Sequence, residues 1–104
     1  MKSSINKSVF HHITSSPNYL QTKDITLIYS KYENSCLGFV VPKKLGKASK
    51  RNLFRRRCKN VFELVCKQDL SSKVGVIVKP QSLNITYNQI SNIFNKLSHK
   101  LIEN

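Results

Sequence analysis

Nine lysines and arginines and no acidic residue lie between Lys43 and Lys59, half of the 18 basic residues in a chain of 104. Guanidinium forks grip phosphate through paired hydrogen bonds and ammonium groups act as point charges, so this mixture suits a phosphodiester backbone. The whole chain has five acidic residues and a formal charge of +13, and such an excess repels itself unless a polyanion neutralises it. The plainer alternative is a solvated charged face. Against it, Lys50, Arg51, Arg55, Arg56 and Arg57 crowd two turns' worth of chain, a density that solubility alone does not require. Lys43 and Lys44 extend the patch into the preceding loop, where Gly46 permits close approach of a phosphate, a left-handed turn or an ordinary turn.

Self-contained catalysis would need a nucleophile with its base, paired carboxylates or a metal cluster. Asp24, Glu33, Glu63, Asp69 and Glu103 are scattered. His11 and His12 are adjacent, and neighbours on a helix point about 100° apart, so they read as surface histidines, with phosphate contact as the sharper alternative. His99 sits in a polar C-terminal turn and is assigned no role. Cys36, Cys58 and Cys66 are odd in number and lack metal-ligand spacing, which predicts reduced, mostly buried thiols and neither a disulfide framework nor a zinc site.

The cations need a scaffold, and the length suits one RNA-binding domain over residues 1–104. Ser8-Val-Phe-His-His-Ile13 predicts a short, weakly amphipathic helix, followed by the polar break Thr14–Asn18. Asp24–Tyr29 reads as a strand, Tyr32–Ser35 as a turn, and Cys36–Val41 as the return strand of a hairpin that Pro42 ends by removing a backbone donor. From Ser49 as N-cap a helix is expected to run to about Asp69. Phe54, Cys58, Val61, Phe62 and Val65 recur at helical spacing, with Asn52, Arg56, Lys59 and Glu63 opposite. The apolar stripe anchors the helix and the basic face is displayed.

Val74–Val78 is almost wholly apolar and bounded by Lys79-Pro80, the pattern of a strand buried on both faces. Thr86 and Gln89 have capping-box spacing, and Ile90, Ile93, Phe94, Leu97 and Leu101 give the last helix an apolar face. The order helix, strands, helix, strand, helix predicts an α+β sandwich with helices packed on a small mixed sheet. There is no signal-peptide-like start, and the apolar runs Leu37–Val41 and Val74–Val78 are too short to span a bilayer. The expectation is a soluble, cytoplasmic protein.

The run from Gly38 through Pro42-Lys-Lys-Leu-Gly-Lys-Ala-Ser-Lys-Arg-Asn-Leu-Phe-Arg-Arg-Arg-Cys-Lys59 resembles the signature of the bacterial ribonuclease P protein subunit: a strand, Lys-Lys, Gly, then a helix opened by Arg-Asn-Arg and continued by basic pairs. Val9-Phe10, the strand ending in Lys79-Pro80 and the amphipathic last helix extend the likeness over most of the chain. The resemblance implies an α+β fold shared with a ribosomal protein domain, with a mixed sheet of about four strands and a left-handed crossover around the basic helix, against the usual right-handed preference.

It also implies that the chain binds the catalytic RNA of ribonuclease P and promotes removal of the 5′ leader from precursor transfer RNA. The RNA then supplies the catalytic groups of this endoribonuclease and holds most of the required magnesium. No covalent cofactor, membrane or protein partner is implied. On the matching positions, Lys43, Lys44, Lys47, Lys50, Arg51, Asn52, Arg55, Arg56 and Lys59 contact the catalytic RNA. Phe10 helps line a cleft between helix and sheet for the single-stranded leader, stacking on bases without sequence preference; the competing reading of Phe10 is a core aromatic.

Two positions depart from the family pattern. Leu53 stands where a second Arg is expected, and Asn60 replaces a Glu. Arg57 is a candidate substitute for the missing guanidinium, although it projects nearly opposite to Asn52. Tyr19 and Tyr29 align ambiguously, so no leader role is carried onto them.

Other classes keep distinguishable signatures. A ribosomal or ribosome-associated protein would bind RNA with the same steep salt dependence but leave cleavage of precursor transfer RNA unchanged. A cationic helix lying on anionic membrane would bind vesicles, but Val61, Phe62 and Val65 are spoken for by a core. A protein-only nuclease would cleave RNA with metal and no RNA subunit.

Overall fold

The computed structural model describes residues 6–32, 35–67 and 73–103. Along the chain come α1 (Lys7–Ser15), β1 (Asn18–Gln21), β2 (Ile25–Lys31), β3 (Cys36–Phe39), a 3-10 turn (Lys43–Leu45), α2 (Ala48–Phe62) extended by a π turn (Glu63–Lys67), β4 (Val74–Pro80) and α3 (Tyr87–Glu103).

Local chemistry sets the helix starts. Asn6 accepts the Val9 amide at 2.9 Å and opens α1. The expected box opens α3: the Thr86 amide donates to Gln89 Oε1 at 2.8 Å and the Gln89 amide to Thr86 Oγ1 at 3.2 Å. Helix α2 starts earlier than expected, because the Arg51 amide already bonds the Lys47 carbonyl at 3.0 Å. Lys47 is therefore the cap residue, with no side-chain cap, and Ser49 lies within the first turn. The α-helical part ends at Phe62, and the π turn that follows keeps Val65 packed on the core. The expected helix end at Asp69 lies outside the described residues, as do Glu33 and the Cys66 side chain.

The four strands form one sheet in the order β1-β2-β4-β3. This corrects the expected hairpin: β2 and β3 do not pair, because β4 lies between them, antiparallel to β2 and parallel to β3. Val74–Val78 are all buried, and a strand apolar on both faces is most stable at the sheet's centre, displacing the four-residue β3 to the edge. The true hairpin joins β1 to β2, with Asn18 opposite Tyr29 and Gln21 opposite Thr26. Thr22 closes it: its hydroxyl donates to the Ile25 carbonyl at 2.7 Å and accepts the Ile25 amide at 3.1 Å. Strand β1 escapes sequence reading because its one buried side chain, Leu20, makes no alternating pattern.

The crossover β3-α2-β4 is left-handed, as L-residue geometry requires. The Val78 carbonyl accepts from Val40 just beyond β3, while the Val78 side chain faces the core under α2. In an L-chain running upward with that side chain toward the viewer, the carbonyl points right, so β3 lies right of β4. The chain thus rises over the helix face and returns to the left, against the common hand.

The helical face of the sheet buries Leu27, Leu37, Val76 and Val78 against Phe54, Cys58, Val61 and Phe62 of α2 and Ile90, Phe94 and Leu97 of α3. Rings interlock there: Phe39 with Phe54 at 6.4 Å and Phe62 with Phe94 at 6.2 Å, both edge-to-face. Helix α1 covers part of the other face through Ile13, with Val9, on Ile28 and Ile77. Gly75 allows that approach, since a Cβ would meet Ile13 Cδ1 at 2.7 Å and Cγ1 at 3.1 Å. Ile13 is fully buried and has nowhere to swing, so Gly75→Ala should cost on the order of 1–3 kcal/mol by overpacking. An unchanged urea midpoint would refute this packing role.

Cys36 and Cys58 are buried, as the sequence reading expects of these thiols. Burial pushes the Cys58 thiol from 9.0 up to about 12. The folded state thus keeps a proton that the unfolded chain releases. Cys58 favours folding below pH 9.0, and that contribution is lost as pH rises toward about 12. Alkylation followed by mass spectrometry at about pH 8 should find Cys58 inert in the native protein and reactive in urea. Equal rates would contradict the burial.

Candidate nucleic-acid interface

All nine residues expected to meet RNA lie on one continuous segment, the 3-10 turn, the cap residue Lys47 and α2. Pro42 and the bond from the Gly46 amide to the Lys43 carbonyl at 3.3 Å shape the turn that carries Lys43 and Lys44. Gly46 is extended, with φ 167°, so the left-handed option is not used. Its lack of a side chain instead admits Leu83, whose Cδ1 would stand 3.0 Å from a Cβ. The Gly46 carbonyl accepts Arg51 Nε at 3.3 Å, which ties the loop to the first turn of the helix.

Lys43, Lys44, Lys47, Lys50, Asn52, Arg56 and Lys59 are exposed, and Arg51 and Arg55 are half-buried. Asn52, Arg56, Lys59 and Glu63 form the outward stripe opposite Phe54, Cys58 and Val61, as the spacing predicted. Arg55 flanks it and donates to Asn52 Oδ1 at 3.0 Å, which braces both side chains. Arg57 lies on the other flank and donates to the Ile85 carbonyl at 3.5 Å. It therefore faces the start of α3, on the same flank as Leu53 one turn earlier.

The electrostatics are unfavourable in the free protein. Lys47, Lys50 and Arg51 stand at the N-terminus of α2, whose first turn has no acidic residue, so like charges meet the positive end of the helix dipole. An anion placed there relieves both repulsions.

Phe10 is not a core aromatic. It is 41% exposed and borders a concave surface with Lys7, Ser8, His11 and Thr14 of α1. The pairing register puts Tyr19, Ile28, Ile77 and Gly38 in one row of the sheet face that α1 partly covers. Beyond the helix that face stays open: Tyr19 is 60% exposed and Lys79 and Val40 are exposed. Tyr19, which the sequence reading left without a role, is put on this face by the β1–β2 pairing. His11 and His12 are exposed; His12 Nε2 lies 3.3 Å from the Lys31 carbonyl and its ring meets Tyr32 edge-on at 5.1 Å. Among the described residues no three His, Cys, Asp or Glu side chains converge, and no helix is long and apolar enough to cross a membrane.

The ribonuclease P family model matches residues 5–102, nearly the whole chain. The chain belongs to the ribonuclease P protein family. Curated relatives in this family are the ribonuclease P protein components of Mesomycoplasma hyopneumoniae, 30% identical over 85% of each chain, and of Mycoplasma mobile, 27% identical over 88% of this chain and 82% of the relative. The fold agrees. The Staphylococcus aureus RNase P protein superposes with a TM-score of 0.74 at 21% identity, covering 99% of this chain and 94% of that one. The Thermotoga maritima RNase P protein does so with a TM-score of 0.71 at 23% identity over 85% and 89%. As a ribonuclease P protein the chain is part of an endoribonuclease concerned with transfer RNA processing.

Proposed function

We propose that the exposed face of α2 and the preceding turn bind the catalytic RNA of ribonuclease P, and that the bound protein promotes removal of the 5′ leader from precursor transfer RNA in the cytoplasm. The observation that carries this reading is the cluster of exposed cations from Lys43 to Lys59 on a helix anchored by its opposite stripe. The magnesium requirement is assigned to RNA phosphates and the chemistry to the RNA, as the family resemblance implies. The protein's part is to lower phosphate repulsion and hold the substrate.

The leader is assigned to the α1 side of the sheet, where Phe10 and Tyr19 offer exposed rings and single-stranded bases stack without sequence preference. Phe10→Ala should weaken precursor binding by about 1–3 kcal/mol, the worth of one base stack, and leave mature transfer RNA binding unchanged. Equal losses for both would remove Phe10 from the leader path.

Single-turnover cleavage of a precursor transfer RNA by bacterial RNase P RNA, with and without the chain at low magnesium and near-physiological salt, tests the whole reading. Stimulated cleavage at the mature 5′ end is expected. No stimulation, with the RNA active alone at high magnesium, would shift the function to ribosomal or other RNA binding.

A further inference from the structure

The flank of α2 turned toward α3 is built differently from the outward stripe. Leu53, Arg56, Arg57 and Asn60, from two successive turns of α2, and Tyr87, the first residue of α3, line an open groove of about 380 Å³. The Tyr87 hydroxyl donates to Asn60 Oδ1, which bridges the two helices and fixes the ring. The bond to the Ile85 carbonyl at 3.5 Å likewise holds the Arg57 guanidinium over the entry to α3. Tyr87 is nevertheless 39% exposed.

Three kinds of surface meet in this groove. Leu53 and the Tyr87 ring give apolar and aromatic walls. The Asn60 amide nitrogen can donate to a base edge, since its carbonyl oxygen is the atom that takes the tyrosine proton. Two guanidiniums face no carboxylate among the lining residues and suit a phosphate. A flat ring joined to an anion matches all three, and its volume falls within the range of small-ligand sites.

From this juxtaposition we infer that the Leu53–Tyr87 groove receives an unstacked nucleotide of the catalytic RNA, its base against Tyr87 and its phosphate on Arg56 and Arg57. The inference rests on the proposed binding of that RNA. It makes the α2–α3 junction a second kind of contact, one that reads a single-stranded bulge or loop while the outward stripe holds backbone phosphates. In this arrangement Leu53 and Asn60 are groove walls.

Tyr87→Ala, Tyr87→Phe and Tyr87→Trp variants, titrated with bacterial RNase P RNA at several salt concentrations, test it. The chain contains no Trp, so the Tyr87→Trp variant carries a single reporter in the groove. Expected are a loss of RNA affinity of about 5- to 100-fold in Tyr87→Ala, the equivalent of one base stack, and a much smaller loss in Tyr87→Phe, which keeps the ring. The salt slope should stay that of the parent, because a stack releases no counterions, and the indole emission of Tyr87→Trp should be quenched on binding. Parent-like affinity of Tyr87→Ala with unquenched Tyr87→Trp, while the parent protein binds, would overturn the groove alone. Failure of the parent protein to bind in the same titration would overturn the RNA-subunit reading and the groove with it. Circular dichroism checks that each variant is folded, and quenching in Tyr87→Trp keeps the test decisive if truncation disturbs α3, its absence on RNA binding overturning the groove.

Discussion

Raising monovalent salt from about 50 to 200 mM should weaken binding of the chain to RNase P RNA by about three orders of magnitude, the loss typical of six or more neutralised phosphates. The six exposed cations of the interface, Lys43, Lys44, Lys47, Lys50, Arg56 and Lys59, set that number. Each phosphate they neutralise releases condensed counterions, worth roughly 0.7–0.9 in the slope of log affinity against log salt. Arg51 and Arg55 already donate to the Gly46 carbonyl and to Asn52, so they add field and bracing beyond the count. An Arg56→Ala/Lys59→Ala double variant should lower the slope by about 1.4–1.8 while its unfolding midpoint holds or rises, since both side chains are exposed and mutually repelled. Filter-binding titrations at four or five salt concentrations measure it. A slope equal to the parent's would mean that these two cations face solvent in the complex, and the interface would have to be moved off the outward stripe.

The second large effect is on stability. Phe62→Ala should cost about 3–5 kcal/mol, the range for emptying a buried aromatic site. Phe62 is fully buried at the end of α2, and its ring meets Phe94 edge-to-face at 6.2 Å, so it joins α2 to α3. Against a total stability of about 5–15 kcal/mol for a domain of this kind, that loss takes a large share of the margin and should lower Tm by well over ~10 °C. Thermal unfolding followed by circular dichroism checks it; a shift of only a few degrees would mean that the site collapses around the missing ring. Catalytic RNA in excess should restore part of the lost Tm to the extent that it binds the folded state more tightly than the unfolded chain. The consequence reaches function through geometry: the basic stripe stays outward only while the opposite stripe is held down.

Family membership was legible in the order of residues from Gly38 to Lys59, which resembles the family signature, and the displayed face of α2 was legible in short-range periodicity. Phe54, Cys58 and Val61 repeat at helical spacing, so the position of Asn52, Arg56 and Lys59 on the far side follows from 3.6 residues per turn without any tertiary knowledge. The Thr86–Gln89 box and the doubly buried Val74–Val78 strand were readable likewise, because a cap and an apolar run are local facts. The start of α2 was misplaced by one turn's chemistry. Ser49 is a good cap by type, but the backbone bond from Arg51 to Lys47 closes the helix first.

Strand partners were not legible, and neighbours in sequence misled. The chain between β2 and β3 is short enough for a hairpin, yet the burial of β4 on both faces is worth more than the closeness of β3, and β4 takes the place between them. The same long-range choice pairs β1 with β2 and so brings Tyr19 to the face shared with α1. Phe10 could be core or surface by its own pattern, and only the packing of Ile13 and Val9 onto Ile28 and Ile77 turns it outward. Arg57 and Tyr87 are thirty residues apart and meet because Phe62 and Phe94 dock their helices. The sequence by itself determined where the charge lies, which face of α2 displays it and what kind of partner it suits, since these depend on residue type and helical period. Tertiary structure alone decided the strand order, the hand of the crossover and the α2–α3 groove, because each depends on which distant apolar surfaces win the competition for burial.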